Sequence, residues 1–285
     1  MALSIETAST SGTVRLRSPL PVDVSTAWQA ITAPHQVSQW FATQTAPLKE
    51  GESSYLDFED GDFFTLQVLR IAPPRLIQFA WRFLGIGPLE IVTWQLDKGE
   101  TGSTLQVTDE APERSPETVA ELEEGWLDFL QRLQRYLLTG QKTRYAWRKE
   151  FDASIELPLG QEKAWETLFT SRPVTDWLPI DTPTLTSGTT LKLTDGYSSS
   201  AFELSEIVWN FPTSVQFKLG HGEWLNPTPC LMQLGSRKKH QTTLSIHHKG
   251  WDTISPNQEQ QILQRQRFSL FWISTLKQVQ VMIQN

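Results

Sequence analysis

Cysteine is all but absent from this chain of 285 residues, and Cys230 stands alone. A lone thiol has no internal partner, so no disulfide framework holds the fold, and a reducing, cytoplasmic setting is expected. Long apolar runs are missing as well. No stretch of 18 apolar residues occurs, so no membrane insertion is expected. Residues 1–12 are polar and rich in Ser and Thr, without the basic-then-apolar order of a signal peptide, and are expected to be disordered. Dense positive charge is scarce. The net charge is −7, and the one compact basic run, Arg237-Lys238-Lys239, is too short to neutralise a phosphate backbone, so nucleic acid is not an expected partner. Catalytic signatures are also lacking: no phosphate-binding Gly-Lys loop, no His-Glu-x-x-His, no paired cysteines. Gly85-Ile86-Gly87-Pro88 lacks a third glycine and reads as a turn. No catalytic set, metal site or cofactor is therefore expected.

Tryptophan, by contrast, is plentiful, at 12 residues. Burying one large aromatic removes about 150–250 Å² from water, worth about 4–6 kcal/mol as an upper bound. So many rings imply two well-filled cores, a pocket lined by some of them, or both.

The chain also repeats itself. Pro21, Ala27 and Trp28 recur as Pro158, Ala164 and Trp165 at an offset of 137, which also carries Trp40 onto Trp177 and Gly51 onto Gly188. Pro74, Gln78 and Phe79 recur as Pro212, Gln216 and Phe217 at 138, and Thr104-Leu105 as Thr243-Leu244 at 139. An offset that creeps by single residues is what short loop indels produce. Each copy is long enough to be a complete domain. The expected division is a domain over 13–140 and a second over 145–285, with Gly140 as the stop of the first copy's last helix.

Within the first copy, alternation predicts a strand over 14–20, and short helices follow over 23–32 and 34–41. Strand candidates at 53–58, 63–72, 76–83, 89–96 and 103–109 are separated by Asp60-Gly61, Pro73-Pro74, Gly85 to Pro88 and Lys98-Gly99. Leu122, Trp126, Phe129, Leu130, Leu133 and Leu137 fall at helical spacing over 119–138, with Ser115-Pro116 as cap and first turn. The second copy opens with a strand over 147–151 and ends with a helix over 262–283. Each copy is thus α+β, a curved antiparallel sheet wrapped around a long C-terminal helix that covers its apolar face.

These residues resemble a known family. Ile31-Thr32-Ala33-Pro34-His35-Gln36-Val37-Ser38-Gln39-Trp40-Phe41 is similar to the entry motif of START-like domains of the SRPBCC superfamily, in the branch of homologues of the heat-shock protein 90 ATPase activator C-terminal domain. Pro74 to Trp81 resembles its central hairpin, Thr242 to Trp251 its last strand, and Glu124 to Leu130 the start of its final helix. The first copy departs from the pattern with Asp109 for His and Ala111 for Gly, the second with Ser269 for Trp. The resemblance implies two tandem helix-grip domains, each with a hydrophobic cavity between sheet and helix. It implies ligand carriage, a co-chaperone role with a chaperone partner, or cyclase- or lyase-type chemistry as candidate functions.

The residues themselves nominate a site. Leu244, Ile246 and His248 share a strand face, as do Leu105, Val107 and Asp109, so His248 and Asp109 end two apolar stripes. Each is either a polar anchor for a ligand or a strand-end residue tied to its own surroundings. Trp81, Trp94, Trp224 and Trp251 are the tryptophans expected beside them, while Trp126 and Trp272 read as core and Trp40 and Trp177 as anchors of short helices. His221, Cys230, His240, His247 and His248 fit no zinc spacing, and adjacent His247 and His248 point to opposite faces. The expected function is non-enzymatic binding of a small apolar or amphipathic ligand by Trp81, Trp94, Asp109, Trp224, His248 and Trp251.

Overall fold

The computed structural model describes residues 4–284 apart from 11, 112–113, 195–198 and 239, and only the backbone of 117, 237 and 238. The Arg237-Lys238-Lys239 side chains thus lie outside the described residues. The chain divides into two units. One comprises Met1–Glu59, Phe63–Gly85 and Leu89–Ala146; the other comprises Trp147–Asn285 with the short segments Asp60–Asp62 and Ile86–Pro88.

The first unit runs β1 (Glu6–Thr7), β2 (Thr13–Leu20), α1 (Val24–Thr32), α2 (Pro34–Trp40), β3 (Thr43–Gln44), β4 (Ser53–Asp57), β5 (Phe63–Ala72), β6 (Leu76–Phe83), β7 (Glu90–Lys98), β8 (Ser103–Glu110) and α3 (Pro116–Thr139). Its strands form one antiparallel sheet in the order β1-β2-β8-β7-β6-β5-β4-β3. The local chemistry explains the element ends. Asp23 caps α1 by accepting the Ser25 and Thr26 N–H groups at 2.8 and 3.0 Å. Ser115 caps α3 by accepting from Thr118 N–H at 3.2 Å, Pro116 opens its first turn, and Gly140 ends it at φ 69°, a left-handed conformation that favours glycine.

Two details differ from the sequence reading. Residues 6 and 7, expected to be disordered, pair with Arg17 and Leu16, because the free edge of β2 offers backbone partners that a polar segment can take. The strand β3 is too short to leave a periodic signal, and it exists because β4 supplies its register.

The second unit runs β9 (Phe151–Leu157), α4 (Gln161–Trp165) continued by a π-helical turn Glu166–Thr170, a 3-10 turn Val174–Asp176, β10 (Thr190–Thr194), β11 (Ser199–Asn210), β12 (Ser214–Gly220), β13 (Thr228–Lys238), β14 (Gln241–His248), a 3-10 turn Trp251–Thr253 and α5 (Gln258–Gln284). Its sheet is antiparallel in the order β10-β11-β12-β13-β14-β9. The opening strand begins at Phe151, beyond most of the expected 147–151 segment, because β14 offers its pairing positions from His248 to Thr242 opposite Phe151 to Leu157.

The duplication is visible atom by atom. Trp40 donates its indole N–H to Ala30 O at 2.9 Å, and Trp177 donates to Leu168 O at 2.9 Å. Gly51 N–H donates to Val68 O and Gly188 N–H to Leu204 O, both at 2.9 Å, from glycines at φ 79° and 88°. Leu96 N–H donates to Arg75 O and Leu234 N–H to Thr213 O, both at 2.7 Å. Trp28 and Trp165 lie at matching helix positions, 7% and 6% exposed. In each unit the sheet curves over its long helix, as the sequence pattern predicts, and the core sits between them.

Candidate functional site

In the first unit β7 turns Glu90, Val92, Trp94 and Leu96 inward, β6 turns Ile77, Phe79 and Trp81 inward, and β8 turns Leu105, Val107 and Asp109 inward. The helix α3 answers with Trp126, Leu130 and Leu133. Trp81 lies between two parallel rings, Phe64 at 3.9 Å and Trp126 at 5.4 Å. Trp94 meets Phe79 and Trp126 edge-on. The three residues predicted for this unit, Trp81, Trp94 and Asp109, are thus assembled around Trp126, the ring read as core.

Asp109 is 0% exposed and fully engaged. Its Oδ2 accepts the Trp126 indole N–H at 2.9 Å, Arg114 pairs with its Oδ1, and Arg114 also donates to its backbone carbonyl at 2.8 Å. The same guanidinium pairs with Glu90 at 2.7 Å, and Glu90 accepts the Trp81 indole N–H at 3.0 Å. Two buried carboxylates therefore share one cation. Burial, then the charge of Asp109, pushes the Glu90 carboxyl above its ordinary range, against the pull of Arg114 and Trp81. The two carboxylates outweigh burial at Arg114 and hold its guanidinium pKa high. Among the described residues of this cluster two groups stay unpaired, the buried Arg114 Nε and Trp94. The Trp94 indole N–H is buried with no acceptor, a situation that costs about 1–3 kcal/mol.

Glu90 and Arg114 were not nominated by the sequence. Glu90 did leave a signal, a charge at an inward position of an alternating strand. Arg114 lies in the connection before α3, where no periodicity marks an inward residue.

In the second unit His248 is also 0% exposed. Its Nδ1 accepts the Trp272 indole N–H at 2.9 Å, and its Nε2 lies 2.8 Å from Thr228 Oγ1. An indole N–H is only a donor, so Nδ1 is bare and the neutral ring carries its proton on Nε2, toward Thr228. Thr228 in turn donates to Leu219 O at 3.3 Å. Burial, then the charge of Arg265, holds the His248 pKa well below its ordinary value. Trp251 packs on the imidazole at 4.1 Å, and Trp224 meets Trp251 at 5.9 Å. The predicted trio Trp224, His248 and Trp251 is therefore contiguous. Cys230, opposite His248 across the ladder, is buried, which pushes its thiol pKa well up and leaves it unreactive. His247 faces out and pairs with Asp152. Among the described residues no cluster of three or more His, Cys, Asp or Glu side chains is arranged to hold a metal.

Asp109 and His248 thus receive the same contact, an indole N–H from the long helix onto the end of the last inward stripe. Ser269 stands where the family that the chain resembles has Trp, but Trp272 makes the contact, and Ser269 hydrogen-bonds Arg265 instead, at 2.7 Å.

The second unit is not closed at one side of its helix. A cleft of about 420 Å³ runs between α5 and the β10 edge. Trp177, Leu178, Leu193, Leu270 and Phe271 give it apolar walls, and Lys192, Arg267, Gln278 and four Ser and Thr residues its polar groups. Phe271 touches Phe268 at 5.8 Å and Trp272 at 4.7 Å, and those rings touch His248. The cleft is thus one ring removed from the expected site.

A family model, Activator of Hsp90 ATPase homolog 1-like protein, matches residues 21–138. Among solved structures, DynU16, described as a protein of the dynemicin biosynthetic locus, is 34% identical over 96% of this chain and 100% of its own, with a TM-score of 0.86. CalU16 from Micromonospora echinospora is 22% identical over 48% of this chain and 86% of its own, TM-score 0.39. Protein MLL2253 from Mesorhizobium loti is 20% identical over 44% of this chain and 96% of its own, TM-score 0.40. No curated protein matches. Among the described residues no helix is long and apolar enough to cross a membrane.

Proposed function

Because the chain belongs to the START-like SRPBCC superfamily, in its activator of Hsp90 ATPase homolog 1-like branch, we propose that it binds a small apolar or amphipathic ligand between sheet and C-terminal helix, without chemistry. The fold is compatible with ligand binding. The observation that carries the reading is the cleft between α5 and the β10 edge. Its size suits a small molecule, and its lining is amphipathic, with six apolar residues beside Lys192, Arg267, Gln278 and the hydroxyl residues Thr175, Thr194, Ser274 and Thr275. A ligand seated there meets Phe271 first. Behind that ring Phe268 and Trp272 separate the cleft from Trp251 and His248. In the first unit the unpaired Trp94 N–H supports a second position, where a ligand acceptor would relieve it. Trp81 and Asp109 would then border that ligand, and Trp224 the outer limit of the second unit's cluster.

Native mass spectrometry of the purified full chain tests this, together with titration by 1-anilinonaphthalene-8-sulfonate. The expected result is one small molecule or one probe per cleft. Leu270→Glu places a charge on a wall residue that is 64% exposed, so the fold is spared and probe binding falls by about tenfold or more. A parent chain that takes no probe, or a variant that binds as well as the parent, refutes the proposal.

A second reading, acid–base chemistry in the first unit, has one specific observation in its favour. Asp109 does have a second carboxyl nearby, Glu90, joined to it by Arg114. A buried pair of carboxyls sharing one cation, with the pKa of one of them raised as at Glu90, is a common catalytic device. An infrared band of a protonated carboxyl at pH 7 that is lost in Glu90→Gln is the expected sign, and its absence reduces the cluster to a structural ion pair. The co-chaperone reading rests on the family match alone. It requires a change in a chaperone's ATPase rate on adding this chain.

A further inference from the structure

A second opening lies on the outer face of the second unit and shares no lining residue with the cleft. Along β11 the alternate residues Ala201, Glu203 and Ser205 share that face. Glu203 is registered between Thr190 on β10 and Gly220 on β12. Gly220 has no side chain, so the surface drops there. The following loop, with His221, Trp224 and Pro227, walls a groove of about 660 Å³.

The groove presents a mixed but ordered set of groups. Trp224 is fixed from behind by Phe202 at 5.1 Å and Phe268 at 6.1 Å. His221 Nδ1 accepts the Glu223 backbone N–H at 3.3 Å, so its neutral ring keeps a proton on Nε2 as a donor. Glu203 supplies a carboxylate acceptor, and Thr190 and Ser205 supply hydroxyls that both donate and accept. Among the described lining residues there is no Lys or Arg. On the same face Lys192 stands opposite Ala201 and lines the other cleft, and Lys218 stands opposite Ser205 and is paired with Glu206 at 2.7 Å.

This set excludes ligands by class. An anion would face the Glu203 carboxylate between Thr190 and Gly220, with Lys218 already held by Glu206 and only Lys192 at the margin to offset it. A purely apolar guest would strip water from the polar side chains and replace none of their hydrogen bonds. An ammonium group would satisfy Glu203 but would confront the His221 donor with another donor. A ring bearing hydroxyls answers all of them, because each hydroxyl donates and accepts while the ring's C–H face suits the negative face of an indole. We propose that this groove is a binding site for a neutral polyhydroxylated ring, that is, a sugar or glycoside.

The test is nuclear magnetic resonance of the full chain with ¹⁵N-labelled tryptophan. The Trp224 indole signal is assigned by its loss in Trp224→Phe. Methyl β-glucopyranoside, methyl β-galactopyranoside and methyl α-mannopyranoside are titrated, with choline and glucuronate as the charged comparisons. At least one neutral glycoside is expected to shift the Trp224 signal saturably, and Glu203→Gln is expected to weaken it by about tenfold. Gly220→Val should abolish the shift by filling the groove. A Cβ at Gly220 meets only Pro227 Cβ at 3.8 Å and Glu203 O at 3.9 Å, which is ordinary contact, and the other indole signals, unmoved in the variant, report that the fold is kept. The proposal is overturned if no glycoside moves the Trp224 signal, if choline or glucuronate binds more tightly than every glycoside, or if folded Gly220→Val responds like the parent.

Discussion

Acid should weaken the second unit through one side chain, His248. The folded ring is sealed from water, and both its nitrogens are committed. A proton on Nδ1 would set two N–H donors against each other at the Trp272 contact, so the folded state resists protonation and its pKa is depressed. The unfolded chain does not resist, and its histidine titrates near the ordinary value of about 6.5. Above that pH His248 is neutral in both states and costs nothing. Below it the unfolded state binds a proton that the folded state refuses, so stability falls by about 1.4 kcal/mol per pH unit, or about 2 kcal/mol by pH 5. The loss continues downward until the folded pKa is reached. His248→Gln keeps an acceptor for Trp272 and a donor for Thr228 but does not titrate. Urea unfolding of parent and variant at pH 7.5 and pH 5.0, followed on the transition of the second unit, isolates the effect, since the other titrating groups are common to both. The variant should start lower, by about 1–2 kcal/mol, yet lose about 2 kcal/mol less on acidification. Parallel losses in the two proteins would refute the assignment of a neutral, buried His248.

Three further outcomes follow from the first unit. Trp126→Phe leaves an Asp109 oxygen without its donor and should cost about 1–3 kcal/mol more than Trp94→Phe, which removes the same atoms but a hydrogen bond that was never made; equal losses in urea unfolding would contradict the network. Arg114→Met strands Glu90 and Asp109 and should cost about 3–5 kcal/mol at pH 7, most of it recovered when Glu90→Gln and Asp109→Asn are added; a mild effect of Arg114→Met alone would show that the carboxylates need no cation. Gly140→Ala should cost about 1–2 kcal/mol in thermal unfolding, because alanine pays a steric penalty at φ 69°.

Much of the architecture was legible because it is local. Alternation in Leu105, Val107 and Asp109 and the spacing of Leu122, Trp126, Leu130 and Leu133 follow from the two backbone periods, whatever the partner turns out to be. The Asp23 and Ser115 caps and the Gly140 stop are likewise set by residues within a turn of one another. The duplication was legible for a related reason. Matching turns and anchors, such as Trp40 and Trp177, solve the same local problem twice, so their residues recur in order.

The site was legible only in outline. His248 and Asp109 could be placed on an inward stripe, but nothing along the strand says that an indole from the long helix lands on each. Ser269, where the family that the chain resembles has Trp, does not reach His248, while Trp272 does. Arg114 sits in a connection with no period and still closes the ion pair between two strands. Local pattern carried two α+β domains, the first copy's strands and helices apart from β1 and β3, the last helix of the second copy, and the inward faces of the final strands, because each depends on neighbours a few residues away. Tertiary structure alone decided which groups meet, whether a carboxylate gains a cation, and where the surface opens at Gly220. Those depend on the register and entry angle of elements far apart in the chain, and no local pattern encodes them.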